Sequence, residues 1–494
     1  MQSMTARPVA DLNGDCAVSG QTTTDGVAFP AATAGGSLRP TRLAGIAQWL
    51  RSELFLPPLA RTVSWRQVAG GAVFLVVGAA VSLARTSGPG ALNTIWIEDA
   101  NNFLQDALHE SVMTTLTTQM NGYYDVVPRA VTAIAITFPL VAVPGIMSAC
   151  AAIGYSMFGL IAYIASGPHL RSPWLRLLVA APACLIPLGY TQANNDLATV
   201  QFIALYGIFW LLLWRPGTRA GQLAAPVIML GTTLSSILPL LFAPLVAARL
   251  IADRSKVSIA IAGCWAAGLV AQWSVQLRGM SSRDAGGWTN PLWVLGNYVT
   301  RVVPRAMFGE DAVGGPGTNG DGHTIPLVIP NLAIHTALIW GAWAIVVAAI
   351  IIAVVRLTAP DWPLAVTALL FSVLLFVGEI VNNLPIVQPR YVIAPALLVY
   401  AGIVAMLRPR IPALRPRSAA IAWIPVAVFA LVLAVTCGFN YRVTNGRSES
   451  PPWTAVVAAA TRTCMNPGNA DYYYYHHHGW WQFKIPCGRV RSSS

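Results

Sequence analysis

Two acidic side chains stand side by side in Trp96-Ile-Glu-Asp99, directly after the first long apolar run. Adjacent carboxylates at a membrane surface can take a proton from an acceptor hydroxyl or bind a metal; a solvated acidic loop accounts for the same pair. A second polar cluster, Asn194-Asn195-Asp196, follows the third apolar run. Capping a helix that starts near Leu197 is its simplest role, since Asn and Asp are good N-caps. A third, Gln388-Pro-Arg390-Tyr391, opens the tenth run, with Glu379 shortly before the end of the ninth. Ionisable groups at membrane depth are costly and usually functional. The planar fork of Arg matches phosphate oxygens, and Arg301 and Arg305 in Tyr298-Val-Thr-Arg-Val-Val-Pro-Arg305 add positive charge nearby in the chain. Interfacial snorkelling explains each of these arginines as simply. In the tail, Asp471-Tyr-Tyr-Tyr-Tyr-His-His-His-Gly-Trp-Trp481 holds three neighbouring histidines without the spacing of a zinc motif. Its aromatic rings suit the headgroup level of a bilayer or stacking on sugars.

The elements that must position these groups follow from composition. Of 494 residues, 55% are hydrophobic and 10% charged, against about 25% charged in soluble domains. Apolar runs of roughly 17–25 residues, the length a bilayer core demands, recur from Val68 to Cys437. Lipid offers backbone groups no partners, so such runs are helices or barrel strands; they do not alternate, which excludes the barrel. The expected fold is an all-α polytopic membrane protein of about eleven spans: 67–85, 141–166, 174–190, 197–214, a hairpin of two within 222–252, 257–277, 333–355, 363–382, 391–407 and 419–437. Interfacial helices near 100–118 and 128–140 fall in the first outer loop, and 278–330 forms a long outer loop.

The net charge of +12 would suggest nucleic acid in a soluble chain. Here Lys and Arg fall in the short loops that face the cytoplasm, and no nucleic-acid motif is present. That distribution puts the N-terminus in and the C-terminus out, in a multi-pass plasma (inner) membrane protein. Residues 1–60 lack an early apolar core and read as a disordered cytoplasmic tail without a signal peptide. Residues 61–437 form the transmembrane domain, and 438–494 a non-cytoplasmic C-terminal tail. Cys150, Cys184, Cys264 and Cys437 lie in or beside apolar runs and read as packing residues. Cys16 lies in the polar N-terminal tail, while Cys464 and Cys487 stand alone in the polar C-terminal region and can pair there in an oxidising compartment. No repeat of the kind seen in inverted-repeat transporters is visible.

Taken together, these features resemble the GT-C superfamily of membrane glycosyltransferases, which carry an acidic pair in the first outer loop, interfacial helices after it, and an acidic or Asn-bearing loop between the third and fourth spans. More narrowly, Trp96-Ile-Glu-Asp99 with Phe103, Gly122-Tyr-Tyr, Val127-Pro-Arg129, Arg390-Tyr391 and the terminal Pro486-Cys487 look like a group of bacterial members. The resemblance covers most of residues 67–490. It implies a polyprenyl-phosphate-linked sugar donor and a glycan or lipid acceptor on the outer face. It implies Asp99, with Glu98 as alternate, as the base that deprotonates the acceptor. Asn194, Asn195 and Asp196 correspond to the second outer loop, which in some relatives helps bind a divalent metal or the acceptor. Arg390 is the candidate for the donor phosphate, with Arg301, Arg305 and Arg129 as further candidates. Asparagine at two of the three second-loop positions departs from a metal-binding pattern, and no WWDYG-type motif occurs. A membrane transporter or lipid flippase is the alternative; it would gather ionisable residues near the bilayer midplane. The sugar, the acceptor and the stereochemistry are not legible in the sequence.

Overall fold

The computed structural model describes residues 42–59, 62–120, 122–189, 195–277, 290–313, 332–382, 388–410, 420–442, 445–475 and 482–493. Among them, six helices are long and apolar enough to cross a membrane: Trp65–Leu83, Leu140–Ala165, Lys256–Val275, Ala333–Val354, Trp362–Val381 and Pro389–Met406. Shorter apolar helices accompany them, including Val200–Leu213 between the second and third and Ile424–Phe439 after the last. Among the described residues, strand is confined to two short hairpins. The chain is an all-α membrane protein.

Burial separates the helices into a centre and a ring. Every residue of Ile393–Met406 is buried, and so is nearly all of Val200–Leu213. Neither shows a polar face, the pattern of a helix surrounded by other helices. The ring helices expose apolar side chains instead: Val68, Val73 and Val76 on Trp65–Leu83, Trp340 and Ile351 on Leu332–Val354, Leu431 on Ile424–Phe439. A belt of that size would be insoluble in water and is satisfied by lipid tails. Small residues allow close approach: a Cβ on Gly207 would lie 2.1 Å from the Phe158 ring.

Between Leu83 and Leu140 the chain forms a folded layer on one face of the bundle. A π-helical turn Asp99–Leu104 runs into Gln105–His109, then Val112–Thr117. Gln119–Met120 and Tyr123–Tyr124 pair as a tight hairpin with Gly122 at φ 85°, and helix Val126–Ala135 follows. The C-terminal region packs on this layer. Helix Trp453–Cys464, the hairpin Asp471–Tyr475 with Gln482–Pro486, and helix Cys487–Ser493 share one apolar core with Phe103, Leu104, Leu140 and Met147. The Trp453 indole donates to the Leu140 carbonyl at 2.8 Å and stacks on Phe483. A disulfide joins Cys464 to Cys487 with Cα atoms 5.1 Å apart. The described residues of 445–493 are thus a folded lobe rather than a loose tail, and the lobe and the first layer lie on the same face.

Two further segments differ from the expectations above. The end of the supposed disordered tail is a helix, Arg42–Glu53, because Leu50, Leu54 and Phe55 find a cleft in the bundle and are buried there. Polar contacts fix it: His169 bridges the Leu54 carbonyl and the Asp361 carboxylate at 3.0 and 2.9 Å. Within the supposed long outer loop, residues 290–313 fold back into the bundle as Pro291–Asn297, a π turn and Val303–Val313. Tyr400 Oη donates to the Ala306 carbonyl, Trp343 Nε1 to Val299 at 2.9 Å, and Tyr298 Oη meets Ser372 Oγ at 2.9 Å. The apolar Val302, Val303, Ala306 and Met307 of this segment are buried, which is why a stretch with two arginines does not remain outside.

Candidate functional site

The first layer begins where helix Trp65–Leu83 ends, and its acidic pair divides at once. The Glu98 carboxylate takes hydrogen bonds from Arg390 Nη1 at 2.8 and 2.7 Å. Both side chains are partly buried, at 20% and 15% exposure. The Arg390 guanidinium also lies over the Phe202 and Tyr391 rings, each 5.8 Å from the centroid. Its Nε, buried, has no hydrogen-bond partner among the described residues. Next to it in the chain, Gln388 Oε1 is buried in the same condition, as is Trp96 Nε1 beside the acidic pair. Buried polar atoms are normally satisfied; these orphans belong to Arg390 itself and to residues two positions from Arg390 and from Glu98 in the chain.

Asp99 points the other way and is almost fully buried. Its two oxygens accept the backbone N–H groups of Leu197 and Ala198 at 2.9 and 3.0 Å. Asp196 accepts the Thr199 N–H at 2.9 Å, the capping role its residue type suggests. Burial, then the neighbouring Asp196 carboxylate, push the Asp99 carboxyl well above the usual range; the two backbone N–H groups and Arg447 pull against them. Asn195 takes a left-handed φ of 56°, a conformation Asn tolerates. Its amide accepts from Ser82 Oγ at 2.7 Å and donates to the Ser82 carbonyl at 2.7 Å. Asn194 lies outside the described residues. Asn195 bonds Ser82 and Asp196 caps the following helix, and no group of three His, Cys, Asp or Glu side chains among the described residues could hold a metal ion.

Two residues that sequence reasoning passed over hold the site together or stand open within it. Arg447 is 1% exposed. It donates to the Thr94 hydroxyl at 3.1 Å, to the Ala91, Thr94 and Asn195 carbonyls at 2.9, 2.9 and 2.8 Å, and to Ser148 Oγ at 2.6 Å. It therefore ties the C-terminal region to both polar segments; in sequence it sits in Asn-Gly-Arg-Ser and reads as a loop residue. Asp125 precedes helix Val126–Ala135 and is fully buried, yet it makes no capping bond. Both its carboxyl oxygens lack a partner among the described residues. In sequence it is one of several acidic residues of the segment 86–128, with nothing to single it out.

The remaining candidates separate. Arg129 forms an ion pair with Asp106 at 2.7 Å, lies over Phe103, and leaves its own buried Nε without a hydrogen-bond partner among the described residues. Arg301 and Arg305 sit on the inward-folded segment, with Arg305 buried and electrostatically linked to Glu310. The tail histidines at 476–478 lie outside the described residues. No protein-family model matches this chain, and no similar curated protein is found.

Proposed function

We propose that the chain is a membrane glycosyltransferase of GT-C type that moves a sugar from a polyprenyl-phosphate donor to a glycan or lipid acceptor at the outer face of the plasma membrane. The observation that carries this reading is the Glu98–Arg390 pair with its unsatisfied neighbours. A carboxylate held against one edge of a guanidinium fixes the plane of the fork and leaves the Nε edge available to a phosphate oxygen. The leaving phosphate gains negative charge as the glycosidic bond breaks, and a preorganised Arg in a low-dielectric wall stabilises that charge more than water does. Glu98 is then the residue that positions Arg390. Asp99 braces the second polar segment against the first. The acceptor's proton goes to a carboxyl of the same acidic layer.

The apolar chain of such a donor would remain among lipid tails while its phosphate reaches Arg390. A transporter would instead gather its ionisable groups near the middle of the bundle, whereas these stand at the ends of helices. In the full topology of this reading, eleven spans put the N-terminus in the cytoplasm and the C-terminal lobe outside, on the face of the acidic layer. Reporter fusions at Gly221 and at the C-terminus then give opposite sides; the same side for both contradicts that topology. Function is tested by comparing lipid-linked sugars and envelope glycans of a strain with and without the protein. A lipid-linked sugar should accumulate as one glycan loses a residue. Identical profiles contradict the reading.

A further inference from the structure

We propose that Asp125 is the catalytic residue that receives the proton of the acceptor hydroxyl. This rests on the glycosyl-transfer reading. In the step, the acceptor oxygen bonds to the anomeric carbon, the bond from that carbon to the phosphate oxygen breaks, its electron pair leaves with the polyprenyl phosphate, and the hydroxyl proton moves to the Asp125 carboxylate.

The Asp125 carboxyl makes none of the bonds its position would ordinarily give it. An Asp preceding a helix normally accepts an N–H of the first turn. Here those N–H groups are satisfied elsewhere: Val126 donates to the Leu234 carbonyl at 3.4 Å, Val127 to Ser235 Oγ at 3.0 Å, and residue 128 is proline. The preceding hairpin is clamped as well. The Tyr124 N–H donates to Gln272 Oε1 at 2.8 Å, and Gln272 Nε2 donates back to the Tyr124 carbonyl and to Thr233 at 3.1 Å. Asp125 is therefore held on rigid backbone from both sides, while its side chain is released from capping. A buried carboxyl with both oxygens unmatched costs several kcal/mol in ordinary structure, and the fold has left it in place.

The surroundings give it its chemistry. The charged groups within electrostatic reach are Arg129 on its own helix and Glu98 and Asp99 from the acidic segment. Arg129 also forms an ion pair with Asp106. Burial first, and then the two carboxylates, raise the Asp125 carboxyl well above the usual range against the opposing pull of Arg129. A general base works best when its proton affinity is lifted toward the operating pH. The other two carboxylates lack this freedom: Glu98 is bound to Arg390, and both oxygens of Asp99 carry backbone N–H groups.

The test uses the full chain in lipid nanodiscs. Undecaprenyl-phosphate-linked hexoses and pentoses serve as probes together with an extract of envelope acceptors, release of free undecaprenyl phosphate is the readout, and infrared spectra of carbon-13-aspartate samples report protonation. With an active wild type, Asp125→Asn should lose turnover by about 10²–10⁴-fold while its melting temperature holds or rises. Asp125→Glu should keep part of the activity with a displaced rising limb in the pH profile. Near-normal turnover in Asp125→Asn, or loss in Asp99→Asn alone, overturns the assignment. If the wild type consumes no probe, the transfer reading fails and the infrared spectrum alone judges Asp125. A carboxyl band that is lost in Asp125→Asn and that converts to carboxylate as pH is raised through the neutral range supports a proton-accepting group there; no such band, or one that stays protonated throughout, overturns it.

Discussion

Arg390 reaches across 292 residues of chain to bond both oxygens of Glu98 through one nitrogen, at 2.8 and 2.7 Å. The pair joins the acidic layer to the buried central helix, so each partner sets the position of the other's element. Because both are mostly buried, removing either leaves a charge without its counterpart. A double-mutant cycle of Glu98→Gln and Arg390→Gln on thermal unfolding in detergent should give a coupling of about 0.5–3 kcal/mol. Strictly additive single effects would show that the two do not act as a pair.

Asp125 ties stability to pH, with a sign that follows from its direction of shift. Its folded carboxyl holds a proton more tightly than an unfolded one, which titrates near about 4. The folded state is favoured below that value, and this contribution is lost as pH rises toward the folded value. Wild type measured against Asp125→Asn should therefore lose relative stability as pH is raised from mildly acidic to neutral. A difference that stays flat, or grows in the opposite direction, would mean that the carboxyl is already ionised.

Arg447 makes hydrogen bonds to three separate parts of the chain and is buried. Arg447→Met removes the charge with similar bulk but leaves several carbonyls unmatched, each costing about 1–3 kcal/mol. Strong destabilisation is expected, together with faster hydrogen exchange at both 91–94 and 195–199. Exchange that quickens at only one of the two would show that Arg447 does not couple them.

The helices were legible in the sequence because apolar runs of membrane length leave few other solutions. The Glu98-Asp99 pair, Arg390 and the helix-capping use of Asp196 were visible as residue types, but their partners were not, since an ion pair spanning the chain has no local signature. Asp125 and Arg447 escaped for the opposite reason: each sits in a context where a bland local role suffices. The inward fold of 290–313 was hidden because Arg301 and Arg305 advertise an exposed loop, while the valines and alanines that bury the segment are spread between them.

The C-terminal lobe depends on Cys464–Cys487. The bond closes a loop with a sequence separation of 23, worth about 3 kcal/mol in the chain-entropy model. Mass spectrometry of unreduced peptides from native membranes should find the two joined. Cys464→Ser should make helix Trp453–Cys464 more open to protease, whereas full alkylation of both thiols without reductant would contradict the bond and the external position of the lobe.

The most direct measurement of the glycosyl-transfer account is donor consumption by the purified full-length protein in lipid nanodiscs. The protein is supplied with a panel of polyprenyl-phosphate-linked sugars and an extract of envelope acceptors. One donor should be consumed with release of free polyprenyl phosphate, and Arg390→Ala should slow this by about 10²–10³-fold, the scale for losing one preorganised charge-stabilising donor. No consumption of any donor across the panel, or equal rates in wild type and Arg390→Ala, would contradict that account.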